Sequence, residues 1–210
     1  MPFPAQAVIF DLDGTLTPVA SPWRYVHEAL GLWERAIPYH DRFFAGDIDY
    51  DEWARLDLGL WNGCSLKDVR GILEGIQPFP EALDVLKRVA GCRLPGGTPV
   101  RMMILSSGFD EIARRILSAA GIGEDRVTVA ANGLYERDGR VQAVLRVALR
   151  DAVRDKRAHL DRFLARYGIS PEFAVTLDDR EQDRPVFAHL GDFLHVRKPA
   201  DLFRVFDYLP

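Results

Sequence analysis

A chain of 210 residues, 48% hydrophobic and 28% charged, suits one large domain or a domain carrying a smaller insert. Its formal net charge of −4 argues against a nucleic-acid polyanion as main partner, and no apolar run approaches the ~20 residues that span a bilayer. The start Met1-Pro2-Phe3-Pro4 lacks the pattern of a secretion leader, and Cys64 and Cys92 lack metal-ligand spacing, so a reducing, cytoplasmic setting is expected.

Ala7 to Leu12 is a continuous apolar strand of the kind buried on both faces, and it runs into Asp11-Leu12-Asp13-Gly14-Thr15-Leu16-Thr17. The next strong strand, Val100 to Leu105, comes roughly ninety residues later, too far for a single crossover helix. Helix signals fill much of the interval. Ser21-Pro22 is a helix start, followed by Trp23, Val26, His27, Leu30 and Trp33 or Glu34 at helical spacing, with Gly31 a mild interruption. Asp49 to Trp61 predicts a second helix, and Ser65-Leu66-Lys67-Asp68 approximates a capping box for a third. Pro78 and Pro80 bracket the next helix, lined by Phe79, Leu83, Leu86 and Val89 or Ala90.

After Val100 to Leu105 the pattern predicts a helix over 110–120, a strand near Val127 to Ala131, and a hairpin turned at Asp138-Gly139. Lys156 to Tyr167 is an amphipathic helix, Phe173 to Leu177 a buried strand, and Leu202, Val205 and Phe206 belong to a terminal helix. Alternation of strands and helices points to an α/β fold with a mostly parallel sheet.

Parallel sheets place ligands at the carboxyl ends of their strands, and four polar stations fall there. In extended chain Asp11 and Asp13 share a face, and two like charges so close call for a cation, a proton or a reaction. One carboxylate binding a metal and attacking, while its neighbour handles protons, is the simplest solution. Ser106, ahead of Ser107-Gly108-Phe109, can hold phosphate oxygens with its hydroxyl and nearby amides, and Lys156 offers a cation to the same group. Asp179 and Asp183 leave the strand ending Val175-Thr176-Leu177. Taken singly, Ser106 also reads as a turn residue, Lys156 as a solvated charge, and Asp178 to Arg184 as a charged surface loop.

Asp-x-Asp-Gly-Thr-Leu-Thr behind an apolar strand, then Ser106, Lys156 and a late Asp-x-x-x-Asp, resembles the four motifs of the haloacid-dehalogenase (HAD) superfamily phosphatases. Ser106-Ser107-Gly108-Phe109, Ala131-Asn132 and Asp138-Gly139 look like the phosphoserine-phosphatase-like subgroup. The resemblance implies a Rossmann-like, mostly parallel sheet with helices on both faces, a catalytic core over 1–17 and 78–210, and an inserted helical cap over 18–77. It also implies Mg²⁺-dependent hydrolysis of a small phosphorylated metabolite. Asp11 would be the nucleophile forming an aspartyl-phosphate, and Asp13 the acid and then base. Mg²⁺ would be held by the Asp11 carboxylate, the Asp13 backbone carbonyl and Asp179, with Asp183 a ligand or orienter. Ser106 and Lys156 would bind the phosphoryl group. Expelling an alkoxide needs a general acid, so Asp13 favours phosphoryl chemistry over dehalogenation.

The last motif departs from the family pattern. Asp178 and Arg180 replace two glycines and Gln182 replaces the usual Asn; strand alternation is expected to turn Asp178 harmlessly away from Asp179, whereas a bend that faces it to the site would set an uncompensated charge near the phosphate, with Arg180 to offset it. Pro18-Val19-Ala20-Ser21 carries no acid to meet a substrate amine, which points away from phosphoserine. The insert instead offers Trp23, Arg24, His27, Trp33, His40, Arg42, Phe43, Phe44, Trp53 and Arg55, most of the aromatics as its core and a minority facing the cleft. The rival expectations are a phosphate-binding relative without turnover and a phosphotransferase to an alcohol acceptor.

Overall fold

β1 (Ala7–Phe10) is apolar at every position because it is covered on both faces, the burial that a central parallel strand requires. The computed structural model describes residues 4–148 and 152–210. β1 lies between β2 (Arg101–Phe109) and β5 (Ala174–Asp178), with Phe10 level with Ile104 on one side and Leu177 on the other. β3 (Val127–Arg137), β4 (Arg140–Val144) and β6 (Asp192–His195) complete the order β4-β3-β2-β1-β5-β6. All neighbours run parallel except the β3–β4 hairpin. That hairpin turns at Asp138 and Gly139, both at positive φ (53° and 69°), as a two-residue primed turn requires.

Alternation along β1 sorts the core. Val8 and Phe10 join one hydrophobic cluster with α5 (Pro80–Gly91) and α6 (Asp110–Ala119). Ala7 and Ile9 join the other, beneath α7 (Ala152–Tyr167) and α8 (Arg184–Phe187). Helices therefore cover both faces of the sheet. Asp11, next in the alternation after Ala7 and Ile9, is delivered to the α7 side.

Between β1 and α5 stand α1 (Pro22–Ala29), α2 (Trp33–Ala45), α3 (Tyr50–Leu60) and α4 (Leu66–Leu73). Ser21 caps α1 by accepting from the Arg24 N–H, Asp49 caps α3, and Ser65 and Asp68 form the expected capping box. The periodicity running from Trp23 to Glu34 is not one helix. Gly31 takes φ 67°, and the chain restarts as α2 at Trp33. The interior of the insert is continuous with the sheet: Trp23, Trp53, Trp61 and Val69 belong to the same buried cluster as Val8, Phe10 and Phe109.

The expected terminal helix is a 3₁₀ segment over Pro199–Asp207, and α7 begins before Lys156, which sits within it rather than opening it. No helix among the described residues is long and apolar enough to cross a membrane.

Candidate active site

The carboxyl ends of β1, β2 and β5 lie level, so whatever follows each strand meets its neighbours. Asp11 comes off β1 with its N–H bonded to Leu177 O at 2.9 Å, which sets it beside Asp178. From the α7 side the Lys156 ammonium reaches in, 3.3 Å from Asp11 Oδ1, 2.7 Å from Asp183 Oδ2 and 3.8 Å from Asp178 Oδ2. Residues 145 apart in sequence thus touch in a buried setting.

On the other side Asp13 accepts a hydrogen bond from the Ser106 hydroxyl at 2.5 Å, and Ser106 Oγ in turn accepts from the Gly108 N–H at 2.8 Å. Gly108 is required by this approach: a Cβ there would collide with the Asp13 carboxylate. Gly14 has the same role opposite Asp179. Its φ is +87°, and a Cβ would stand 2.5 Å from Asp179 Oδ2. Thr15 fastens Asp179 from both ends, donating to its Oδ1 at 3.1 Å and accepting from its N–H at 2.9 Å.

The six residues singled out from sequence, Asp11, Asp13, Ser106, Lys156, Asp179 and Asp183, therefore gather at one rim of the sheet. Asp183 is turned to Lys156. Thr15 and Gly108 were not singled out, although both sit inside the quoted motifs. The expectation for Asp178 is corrected. Alternation does separate it from Asp179, but it carries the side chain to the α7 face that Asp11 and Lys156 already occupy. Asp178 is fully buried; its Oδ1 accepts from the Arg180 N–H at 2.8 Å, while its Oδ2 has no hydrogen-bond partner.

Five carboxylates around one ammonium dominate the electrostatics. Burial, reinforced by neighbouring carboxylates and opposed by Lys156, raises the pKa of Asp11 well above the usual carboxylate range. Burial also raises Asp13, to about 7, against the lowering hydrogen bond from Ser106. Asp178 is pushed up by burial and by Asp11, and Asp179 is raised by burial against its bond to Thr15. For Lys156 burial works against the charged form, yet Asp11, Asp178 and Asp183 outweigh it and hold its pKa above that of an ordinary lysine.

Asp11, Asp178 and Asp179 each offer an oxygen within 4.8 Å of the others. Asp13 Oδ1 and Asp178 Oδ2 are buried without a hydrogen-bond donor. An all-oxygen set short of positive charge suits a hard divalent cation of the Mg²⁺ kind.

The site opens into a cleft of about 410 Å³ running between the sheet rim and the insert. Asp11, Asp13, Ser106, Gly108 and Lys156 form its floor, and Trp23, Trp33, His40, Phe44, Tyr50 and Trp53 stand among its walls. His27 is buried away from it against Asp57, and Arg42 pairs with Glu52 at 3.8 Å.

A family model of hydrolases, the haloacid dehalogenase-like hydrolases, matches residues 5–191. Solved structures with a similar fold include a phospho-aspartyl intermediate analogue of phosphoserine phosphatase, at TM-score 0.73 and 19% identity over 98% of this chain and 99% of that one. A substrate-bound phosphoserine phosphatase complex gives the same TM-score, identity and coverage. A HAD family hydrolase from Salmonella enterica subsp. enterica serovar Typhi follows at TM-score 0.70 and 19% identity, over 90% of this chain and 62% of that one. No curated protein matches the sequence.

Proposed function

Because the chain belongs to the haloacid dehalogenase-like hydrolase family, we propose that it hydrolyses a small phosphomonoester, with Mg²⁺ and through an aspartyl-phosphate on Asp11. The observation that carries this reading is the meeting of Lys156 and Asp11 with the Asp13–Ser106 pair at the floor of one cleft, Lys156 being held by Asp183 from behind. Mg²⁺ would be held by Asp11, Asp179 and the Asp13 carbonyl, with Asp178 alongside, and would supply positive charge to the phosphoryl oxygens.

The chain's own groups divide the remaining work. The Asp11 carboxylate attacks phosphorus, forming the Asp11–phosphorus bond as the ester oxygen–phosphorus bond breaks. Asp13, whose raised pKa keeps a proton available near neutrality, gives that proton to the departing alkoxide. The Asp13 carboxylate left behind then takes a proton from a water that attacks the aspartyl-phosphate, releasing phosphate and restoring Asp11. Ser106 Oγ and the Gly108 N–H donate to phosphoryl oxygens, while Lys156 offsets the charge that a carboxylate nucleophile and a phosphate dianion bring together.

Hydrolysis of p-nitrophenyl phosphate with Mg²⁺, beside the Asp11→Asn variant, tests this. The variant is expected to lose at least a thousandfold in kcat, a factor on the order of that for a missing nucleophile. Unchanged turnover would end the proposal. Asp178 supports a second reading, a binding protein without turnover, because it adds a buried carboxylate 3.8 Å from the Lys156 ammonium that would meet the phosphate. That reading expects ligand binding with no phosphate release from any ester.

A further inference from the structure

Rings line the cleft from the catalytic floor to its rim. Trp23 donates its Nε1–H to Ser107 O at 3.5 Å and lies 5.1 Å from Trp53. Trp53 meets His40 edge-on at 5.2 Å, and His40 meets Trp33 edge-on at 4.8 Å. Phe44 ends the row 6.4 Å from His40 and is 77% exposed, the largest exposure of any bulky apolar side chain among the described residues. Phe44 also lines the cleft, so a ligand lying there can cover a phenyl ring otherwise left in water.

Behind His40 stands a carboxylate. Asp57 is fully buried within the insert, with His27 Nε2 3.0 Å and His40 Nε2 3.3 Å from its Oδ2. Trp61 donates its Nε1–H to His27 Nδ1 at 3.3 Å, which leaves Nε2 as the proton-bearing nitrogen of neutral His27, on the Asp57 side. Asp57 on α3 thus stands close to imidazoles of α1 and α2, although neither of its oxygens accepts a hydrogen bond. His40 Nε2 lies close to Asp57 without hydrogen-bonding geometry, and the His40 ring lines the cleft.

Two guanidinium groups, Arg24 and Arg180, and one carboxylate, Asp41, line this wall, and Arg24 is paired with Glu28 at 2.7 Å. The Arg24 guanidinium already lies over Trp33, 4.7 Å from its ring centre. A short polar leaving group would leave the ring faces in water, whereas a flat ring would cover them.

We infer that the cleft takes a phosphomonoester whose leaving group carries a flat, uncharged ring, laid against Trp33, His40 and Phe44 while the phosphoryl group rests at Asp11. This inference rests on the phosphomonoester reading above. His40 acts in it as a specificity-determining residue.

The test uses phosphonates, which bind without turning over. Calorimetric titration of the intact protein with Mg²⁺ compares 2-phenylethylphosphonate, ethylphosphonate and 2-(trimethylammonio)ethylphosphonate. The phenyl compound is expected to bind about tenfold more tightly than the ethyl one, the gain that covering one ring face predicts. Phe44→Ala, at an exposed position that folding does not depend on, lowers that ratio to about threefold or less, and His40→Asn lowers it too. Equal binding of the phenyl and ethyl compounds, preference for the ammonium, or a ratio untouched by Phe44→Ala each overturns the inference. So does a dimer in sedimentation that Phe44→Ala dissociates without changing the ratio, since Phe44 would then be covered by a second copy. Hydrolysis of p-nitrophenyl phosphate alongside equal phosphonate binding removes the ring and leaves the phosphatase reading. Neither hydrolysis nor binding removes both.

Discussion

Lys156 is enclosed by Asp11, Asp183 and Asp178, and its side chain is almost wholly buried. Removing a buried charge strands its partners, so Lys156→Met in metal-free protein is expected to reduce stability by about 3–5 kcal/mol in urea denaturation. Adding Asp178→Asn should recover part of that loss, because it removes one of the stranded carboxylates. A double variant no more stable than Lys156→Met would show that Asp178 does not belong to this charge cluster.

The same crowding sets the direction of pH dependence. Asp13 holds its proton to about 7 in the folded chain, and Asp11 and Asp178 are raised as well, whereas in the unfolded chain these groups ionise near 4. Between those limits the folded state binds more protons than the unfolded one. Stability without metal must therefore fall as pH rises from about 4 through about 8. Melting in EDTA should give a lower Tm at pH 8 than at pH 5.5, and Mg²⁺ should narrow the difference. A higher Tm at pH 8 in EDTA would contradict this origin of the shifts.

Elements differ in how plainly the chain announces them. The Ser65–Asp68 box states its helix outright: the Asp68 N–H donates to Ser65 Oγ and the Ser65 N–H to Asp68 Oδ2, both at 3.1 Å. Ser65→Ala is expected to lower stability by about 1 kcal/mol in the same denaturation assay, with no change in KM if α4 is scaffolding. The boundary at Gly31 was harder to read. Apolar spacing continues across it from Trp23 to Trp33, so periodicity reports one stripe where the backbone makes two helices. β6 escaped for the opposite reason. Only Phe193 and Leu194 are buried in a strand of four residues, too few to stand out beside charged neighbours.

At the scale of the molecule the insert shares its buried cluster with one face of the sheet and has no separate interior, while the α7 face of the sheet has a cluster of its own. All four tryptophans, Trp23, Trp33, Trp53 and Trp61, lie in the insert, while the strands that dominate the sheet lie outside it. Thermal unfolding followed by tryptophan fluorescence and by far-ultraviolet circular dichroism should therefore give coincident transitions. An earlier fluorescence transition would mean that the insert melts alone.

The alternation of strands and helices, the two-faced burial of β1, the capping signals and the six polar residues of the motifs were legible in the amino-acid sequence. Each depends on neighbours within a few positions or on a motif of fixed spacing. Only the folded chain decided which side of the sheet Asp178 occupies, which imidazoles stand close to Asp57 and which rings border the cleft. Those facts come from the register of β5 against β1 and from the packing of α1, α2 and α3, and long-range packing leaves no periodic trace along a single chain.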